Sequence, residues 1–277
     1  HRQFFYLTLI SIYLYACQVE SDDAQIIYST LEDSTLFYYR QGWQQIMDEG
    51  HYGSSELSYR KALDFDPNFL VGKSVLARLV TSLEEREKLY EEVISQIDRI
   101  EGDERLVLDV YMALTKYTNI REKDPANASK TREEALSLAE KNFSQIVRKY
   151  PDEIYLKAEY IEVIHANHGA QAALDSLEIL ASEIQQNNPF LLGYAASLQA
   201  ELGNYEKALT LATRLEKLID DPHIPKAFAV YADIYFKMDS LQKAKAYVNR
   251  AYGLDHRNLD ASRLKDKIHQ IMETIEE

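Results

Sequence analysis

The sequence predicts an all-α fold in which pairs of helices stack into one array. Apolar residues recur at helical spacing along most of the chain, and short turns, several containing Gly, separate the helical segments. Only 9 of the 277 residues are Gly and 6 are Pro, and no segment has the pattern of a strand. Because the helical pattern recurs about every 34 residues, we expect a single repeat array and not two separate globular domains.

Residues 36–69 form the first repeat unit, with two apolar helical patterns joined by a turn at Gly50. Tyr59 and Ala62 lie three residues apart on the second helix, where a small residue lets two helices approach closely. The unit resembles a tetratricopeptide repeat, and the resemblance implies a right-handed α-solenoid of about six helix-turn-helix repeats. That family usually has a small residue at the position of Trp43. We therefore expect the first helix to be shifted or splayed.

Further units follow behind the first, so that the repeat array spans residues 31–258. Two of them match the family pattern clearly and carry Ala208, Ala212 and Ala244 on their second helices. The clear units are residues 189–222 and 225–258, and the weaker ones are 70–103, 103–151 and 154–188. The long unit has a polar surplus at residues 119–130, which predicts a surface loop. Residues 259–277 resemble the solvating helix that caps such arrays.

Residues 1–16 have the order of a secretory signal peptide. An uncharged apolar run of 12 residues, 4–15, follows Arg2 and precedes the small residue Ala16. The run is shorter than the ~20 residues that a membrane-spanning helix needs. Since the chain does not begin with Met, we expect a residue or two before His1.

The only Cys, Cys17, lies at the end of this segment in Leu14-Tyr15-Ala16-Cys17, which resembles the lipobox of bacterial lipoproteins. The resemblance implies cleavage before Cys17, lipidation of Cys17 and a lipidated, acidic tether at residues 17–30. We therefore expect a protein lipid-anchored to a membrane of the bacterial cell envelope, with the outer membrane favoured, facing the periplasm or the cell surface. The alternatives are a Cys in an ordinary signal peptide or a true hydrophobic helix.

Composition and motifs exclude several kinds of chemistry. Lys plus Arg is 31 and Asp plus Glu is 45, so the net charge is −14, which disfavours nucleic acid as a partner. The sequence has no Gly-rich phosphate loop, no HExxH and no GxSxG. Glu162, His165 and His168 have helical spacing, but this pattern alone is a weak indication of a metal site. We assign no catalytic residue, metal, cofactor or small-molecule substrate.

The first helix of each repeat lines the concave face of such an array, so its non-core positions predict a partner-binding groove. In the first three units the candidates are Arg40, Gln44, Met47, Arg78, Arg105, Met112 and Lys116. In the later units they are Tyr155, Glu162, His165, Phe190, Ser197, Glu201, Lys226, Asp233, Phe236 and Lys237. The first group carries four cations against Asp48, which predicts a preference for an acidic peptide. The alternative is that this local excess of basic residues arises by chance.

These patterns predict a non-enzymatic, membrane-anchored scaffold that binds a protein or peptide partner in its concave groove. A component of outer-membrane protein assembly is a second interpretation in the same class. A glycan-binding lipoprotein of a polysaccharide-uptake system is a third, and it requires aromatic rings exposed on one surface. An enzyme would require a buried polar cluster around Glu162, His165 and His168.

Overall fold

A computed structural model describes residues 25–276, apart from the side chains of the last two, and every regular element in this part of the chain is helical. The predicted all-α class is confirmed. A π-helical turn, Gln45–Glu49, continues the first helix. The helices are α1 Asp33–Gln44, α2 Tyr52–Phe65, α3 Leu70–Leu79, α4 Leu83–Ile94, α5 Gly102–Lys123, α6 Ala128–Lys149, α7 Ile154–His168, α8 Ala170–Leu180, α9 Pro189–Glu201, α10 Tyr205–Ile219, α11 Lys226–Lys237, α12 Leu241–Leu254 and α13 Leu259–Glu276.

The helices pack in a repeat-like order. Each odd-numbered helix from α1 to α11 packs against the helix that follows it, and α3 and α9 also contact the next odd-numbered helices, α5 and α11. Helix α13 covers the last pair by packing on α12 and α11. One apolar core runs from Ile26 to Leu198, and two further clusters continue it to Ile268. The odd-numbered helices therefore form one layer and the even-numbered helices the other.

The first pair shows how the sequence departs from a regular repeat. A Cβ atom at Gly42 would lie 2.6 Å from Cε1 of the buried Tyr59 ring, and the Ser55 hydroxyl donates to the Gly42 carbonyl at 2.7 Å. The small residue at this crossing is thus Gly42, one position before Trp43. The π turn directly behind it accommodates the additional residue, because a π turn holds one residue more than an α turn. Helix α1 is shifted by one residue and still packs closely.

The predicted surface loop at residues 119–130 is wrong over most of its length. Helices α5 and α6 extend into it and leave only a short turn at Pro125–Asn127 between them. The guanidinium of Arg86, which is only 5% exposed, donates to Asn119 Oδ1 at 2.6 Å and to the Glu122 carboxylate. This clamp from α4 stabilises the last turns of α5, so the polar residues there remain helical.

The end of the predicted tether packs against the array. Ile26 is buried, and its backbone N–H donates to Glu153 Oε1 at 3.1 Å. The Tyr28 ring meets the Tyr39 ring edge-on, and the Ser29 N–H donates to Glu104 at 2.8 Å. Residues 26–30 therefore belong to the folded body, because Ile26 and Thr30 are buried on it, whereas Ile27 is exposed.

The array curls until its first pair meets its last. Asn258, at the start of α13, donates from Nδ2 to the Gly50 carbonyl at 2.9 Å. The Gly53 N–H donates to Asp255 Oδ2 at 3.0 Å, and Arg257 pairs with Glu56. Gly50 has a φ of +74°, and a Cβ there would lie 3.3 Å from Asn258 Nδ2, so glycine suits both its backbone and its neighbour. These contacts close the ring of helices.

Substitutions at the helix crossings test the packing. Ala62 and Ala244 are fully buried, whereas Ala126 is exposed in the short turn after α5. We expect Ala62→Leu and Ala244→Leu each to lower the free energy of unfolding by ~1–3 kcal/mol, because the larger side chain overpacks the contact. Ala126→Leu should change it by no more than about 0.5 kcal/mol. Equal thermal midpoints for all three variants would contradict this assignment of the crossings.

A central cavity as the candidate functional site

A cavity of about 780 Å³ lies inside the closed ring of helices. Every odd-numbered helix from α1 to α13 contributes side chains to its wall, as do Tyr52 and Tyr59 of α2 and Val248 of α12. A cavity of this size is within the range of ligand-binding sites in proteins. The layer of first helices therefore lines a central, partly open cavity.

The structure places most of the candidates from the later repeats in this wall. The candidates that line the cavity are Glu162, His165, Phe190, Ser197, Glu201, Lys226, Asp233 and Lys237, whereas Tyr155 and Phe236 do not. Six of the residues that line it lie in the two units that match the repeat pattern clearly, so their facing positions could be inferred from spacing. The sequence pattern of α13 predicts a capping helix and does not indicate that Asp260, Arg263 and Lys267 line the cavity. Their spacing of three and four residues puts them on one helix face, which could have identified them.

Of the seven candidates from the first three units, the structure brings only Met47 and Arg78 to the cavity. Arg40 donates to Gln25, and Gln44 donates to Glu49, both at the surface. Arg105 bonds Asp109 and the Ile97 carbonyl. Met112 is buried in the core, and Lys116 is exposed away from the cavity. A register difference of one residue turns a helix by about 100°, which is enough to move an expected position away from the cavity.

The cavity wall carries equal numbers of opposite charges. The basic residues are Arg78, Lys226, Lys237, Arg263 and Lys267, and the acidic ones are Glu159, Glu162, Glu201, Asp233 and Asp260. The predicted excess of basic residues is therefore not found in this cavity. The charge of this wall therefore does not favour an acidic ligand.

A buried ion pair crosses from α3 to α7. Arg78 Nη1 lies 2.6 Å from Glu159 Oε1, and the Tyr111 hydroxyl donates to Glu159 Oε2 at 2.7 Å. The guanidinium carbon of Arg78 also lies 4.7 Å from the centre of the Tyr111 ring. Burial alone would lower the pKa of Arg78, but the charge of Glu159 raises it above its usual range. This cluster fixes three repeats relative to one another.

A second network lies between α7, α9 and α11. One ring nitrogen of His165, Nδ1, is 2.7 Å from the Tyr194 hydroxyl, and the other, Nε2, is 3.1 Å from Glu201. Lys237 Nζ bonds Asp233 at 2.7 Å and lies 3.8 Å from Glu201. Burial raises the pKa of the Tyr194 hydroxyl, so this group remains protonated at neutral pH. These hydrogen bonds and ion pairs join α7, α9 and α11 to one another.

His168 belongs to a different surface from Glu162 and His165. Its Nε2 lies 2.9 Å from Glu140 on α6, and it does not line the cavity. No group of three or more His, Cys, Asp or Glu side chains with the arrangement of a metal site occurs in the part of the chain that the structure describes. The spacing of the three residues along the sequence does not place them together.

Trp43, which lines the cavity, packs against an aromatic residue behind the wall. The Trp43 ring stacks on Tyr155 with centres 6.2 Å apart, and the Tyr155 hydroxyl donates to Asp48 Oδ2 at 2.7 Å. Asp48 also accepts from Asn188 Nδ2 at 2.8 Å and from the Phe190 N–H at 3.3 Å. Burial raises the pKa of Asp48, although these hydrogen bonds partly oppose the increase. Asp48 thus joins the π turn to α7 and α9 beside the cavity.

Glu162 and Lys226 face the cavity without an ion-pair partner among the described residues. The Lys226 ammonium lies 4.4 Å from the centre of the Phe190 ring, and burial lowers its pKa. Glu162 is exposed to the cavity, whose walls limit its contact with bulk water. This desolvation, together with the neighbouring charges of Glu159 and Asp260, raises the pKa of Glu162 to about 8. Both groups are therefore available to a ligand.

Comparisons with known proteins do not assign this site. No protein-family model matches the chain, and no curated protein matches it. Among the helices of residues 25–276, none is both long and apolar enough to cross a membrane.

Proposed function

We propose that this chain is a tetratricopeptide-like scaffold, anchored by lipid at Cys17 to a membrane of the bacterial envelope, that binds a short segment of a protein partner in its central cavity. The observation that carries this proposal is the cavity itself, to which the first helix of every pair contributes. Cys17 lies outside the described residues, so the anchor is inferred from the sequence alone.

The packing of the helix pairs supports a tetratricopeptide-like array. Small residues, among them Ala62, Ala212 and Ala244, are fully buried where the second helices pack. The turn glycines Gly169 and Gly203 have positive φ and end the preceding helices, at positions expected from the repeat length. Six pairs followed by a covering helix is the order that the resemblance implies.

The chemistry of the cavity wall supports binding in preference to catalysis. The hydroxyl that His165 contacts belongs to Tyr194, and burial raises the pKa of this hydroxyl, which makes it a poor nucleophile at neutral pH. The wall combines aromatic rings with both signs of charge, a combination that suits a peptide segment bearing apolar and charged side chains.

The placement of the aromatic residues favours a peptide ligand over a glycan. Tyr59 and Tyr111 are fully buried, and the rings of Tyr231, Tyr235 and Tyr247 stack on one another. Among the described residues, the most exposed aromatic rings belong to Phe37 and Phe65, which flank Tyr38. No broad aromatic platform is thus presented by this part of the chain.

A cavity-filling substitution tests the proposal. Ser197 lines the cavity from α9, whereas Ser95 is exposed at the end of α4. A partner segment should co-purify from detergent-solubilised membranes with the native protein and with Ser95→Trp. It should be lost with Ser197→Trp, because the indole ring would occupy the ligand volume. Thermal unfolding checks that both variants are folded, and equal capture by both would refute binding in the cavity.

A further inference from the structure

Glu162 differs from every other carboxylate in the cavity wall. Glu159 pairs with Arg78, Glu201 and Asp233 lie against Lys237, and Asp260 accepts a hydrogen bond from Tyr52 at 2.6 Å. Glu162 makes no hydrogen bond or ion pair with any side chain in the part of the chain that the structure describes. Its carboxyl group lies in the middle of α7 and opens into the cavity. A carboxylate in this position lacks a counter-charge that the protein could have provided.

The charged and titratable groups around Glu162 come from six helices. Arg78 on α3 and Lys226 on α11 oppose Glu159 on α7 itself and Asp260 on α13. Tyr194 on α9 and Tyr52 on α2 lie close enough for the charge of Glu162 to raise their pKa values further, and His165 is one turn away on α7. Arg78 is held by Glu159, Lys226 lies near both Glu162 and Asp260, and Arg263, one turn after Asp260 on α13, also lines the cavity. Glu162 is therefore the carboxyl group of this sector that has no bonded partner among the described residues.

We propose that Glu162 is the anchor for a protonated amine of the bound segment, such as a lysine side chain entering the cavity. The ammonium group would supply the missing counter-charge, and the neighbouring Tyr52 and Tyr194 rings offer additional attraction for a cation. The inference rests on the proposed function, because it names the chemistry of the segment held in the same cavity. It replaces the acidic ligand that the sequence predicted with a basic one.

Amine binding at this position is coupled to the protonation of Glu162. Because the pKa of Glu162 is raised from 4.5 to about 8, the empty cavity holds the group largely protonated at pH 6. A bound ammonium favours the carboxylate, so binding releases a proton. Apparent affinity should then rise by about tenfold per pH unit between pH 6 and 7 and level off above pH 8. A lysine side chain stays protonated throughout, since its pKa is about 10.4.

The test uses two capped pentapeptides that differ only at their central residue, which is lysine in one and norleucine in the other. Binding to the full chain is measured by calorimetry at pH 6, 7 and 8, in buffers of different ionisation enthalpy that report proton release. We expect the lysine peptide to bind at least about tenfold more tightly than the norleucine peptide at pH 8, which is about 1.4 kcal/mol.

Glu162→Gln should remove that preference, the proton release and the pH dependence together. Glu178→Gln, which changes an exposed carboxylate on α8, should retain all three. The variant Glu162→Gln should remain folded. The raised pKa means that the folded state binds the proton more tightly than the unfolded state between about pH 4.5 and pH 8, so ionisation of Glu162 lowers stability as pH rises through this window. The amide avoids this loss.

The outcomes separate this inference from the proposed function. Equal binding of the two peptides, with both excluded by Ser197→Trp, would overturn the amine site and leave the scaffold in place. Absence of binding by the lysine peptide at millimolar concentration would also overturn the amine site. If partner capture persists in Ser197→Trp, the proposed function itself fails.

Discussion

Replacing Glu159 with Ala is expected to lower the free energy of unfolding by about 3 kcal/mol. The Glu159 side chain is only 5% exposed and accepts bonds from both the Arg78 guanidinium and the Tyr111 hydroxyl. Its removal leaves a largely buried cation and a fully buried hydroxyl without their acceptor, and breaking one side of such a pair costs more than the pair contributes. Denaturant unfolding followed by circular dichroism measures the change.

Two controls show whether the ion pair is responsible. Tyr111→Phe removes one hydrogen bond to Glu159 and should cost about 1 kcal/mol. Glu178→Ala removes an exposed carboxylate with no bonded partner among the described residues and should change stability by less than about 0.5 kcal/mol. A loss below about 1 kcal/mol for Glu159→Ala would show that the cavity water compensates Arg78 and that the cluster does not hold α3, α5 and α7 together.

Cys17→Ser is expected to abolish membrane attachment. If Cys17 is acylated, each acyl chain contributes ~0.8 kcal/mol per buried CH₂ group, so two or three chains hold the protein on a membrane almost permanently. The native protein should partition into the detergent phase and incorporate labelled palmitate, whereas the variant should remain a soluble or unprocessed precursor without label. The difference should therefore be close to all or none.

Cys17 is the only Cys of the chain, so no second Cys→Ser variant can serve as a control. The control is therefore Ser21→Ala in the neighbouring acidic segment. This variant should keep both palmitate incorporation and detergent partitioning. If the native protein and Cys17→Ser partition equally and neither takes up label, the protein is not a lipoprotein. The cavity and its proposed ligand would be unaffected by that result.

The sequence located the candidate site more accurately in some repeats than in others. In α7, α9 and α11 the helices begin and end where the turn residues indicate, so a facing position such as Ser197 could be counted from the repeat boundary. In α1 Trp43 lines the cavity, while Arg40 and Gln44 stay at the surface. In α5 the inward face carries Leu114, Tyr117 and Thr118 in place of the expected positions. A register difference of one residue turns a helix by about 100°, so repeats without clear turn signals do not fix the facing residues.

What the sequence determined by itself is the helical class, the pairing of the helices and their small-residue crossings, because these follow from periodicity and from turns between neighbouring residues. Only the tertiary structure decided that the array closes, since the contacts of Asn258 with Gly50 and of Asp255 with Gly53 join residues about 200 positions apart. No local pattern encodes such a contact. The same closure brings Glu162 and Asp260, which are far apart in the sequence, to one cavity. There desolvation and the charge of Asp260 raise the pKa of the Glu162 carboxyl group, an effect that depends on the three-dimensional surroundings.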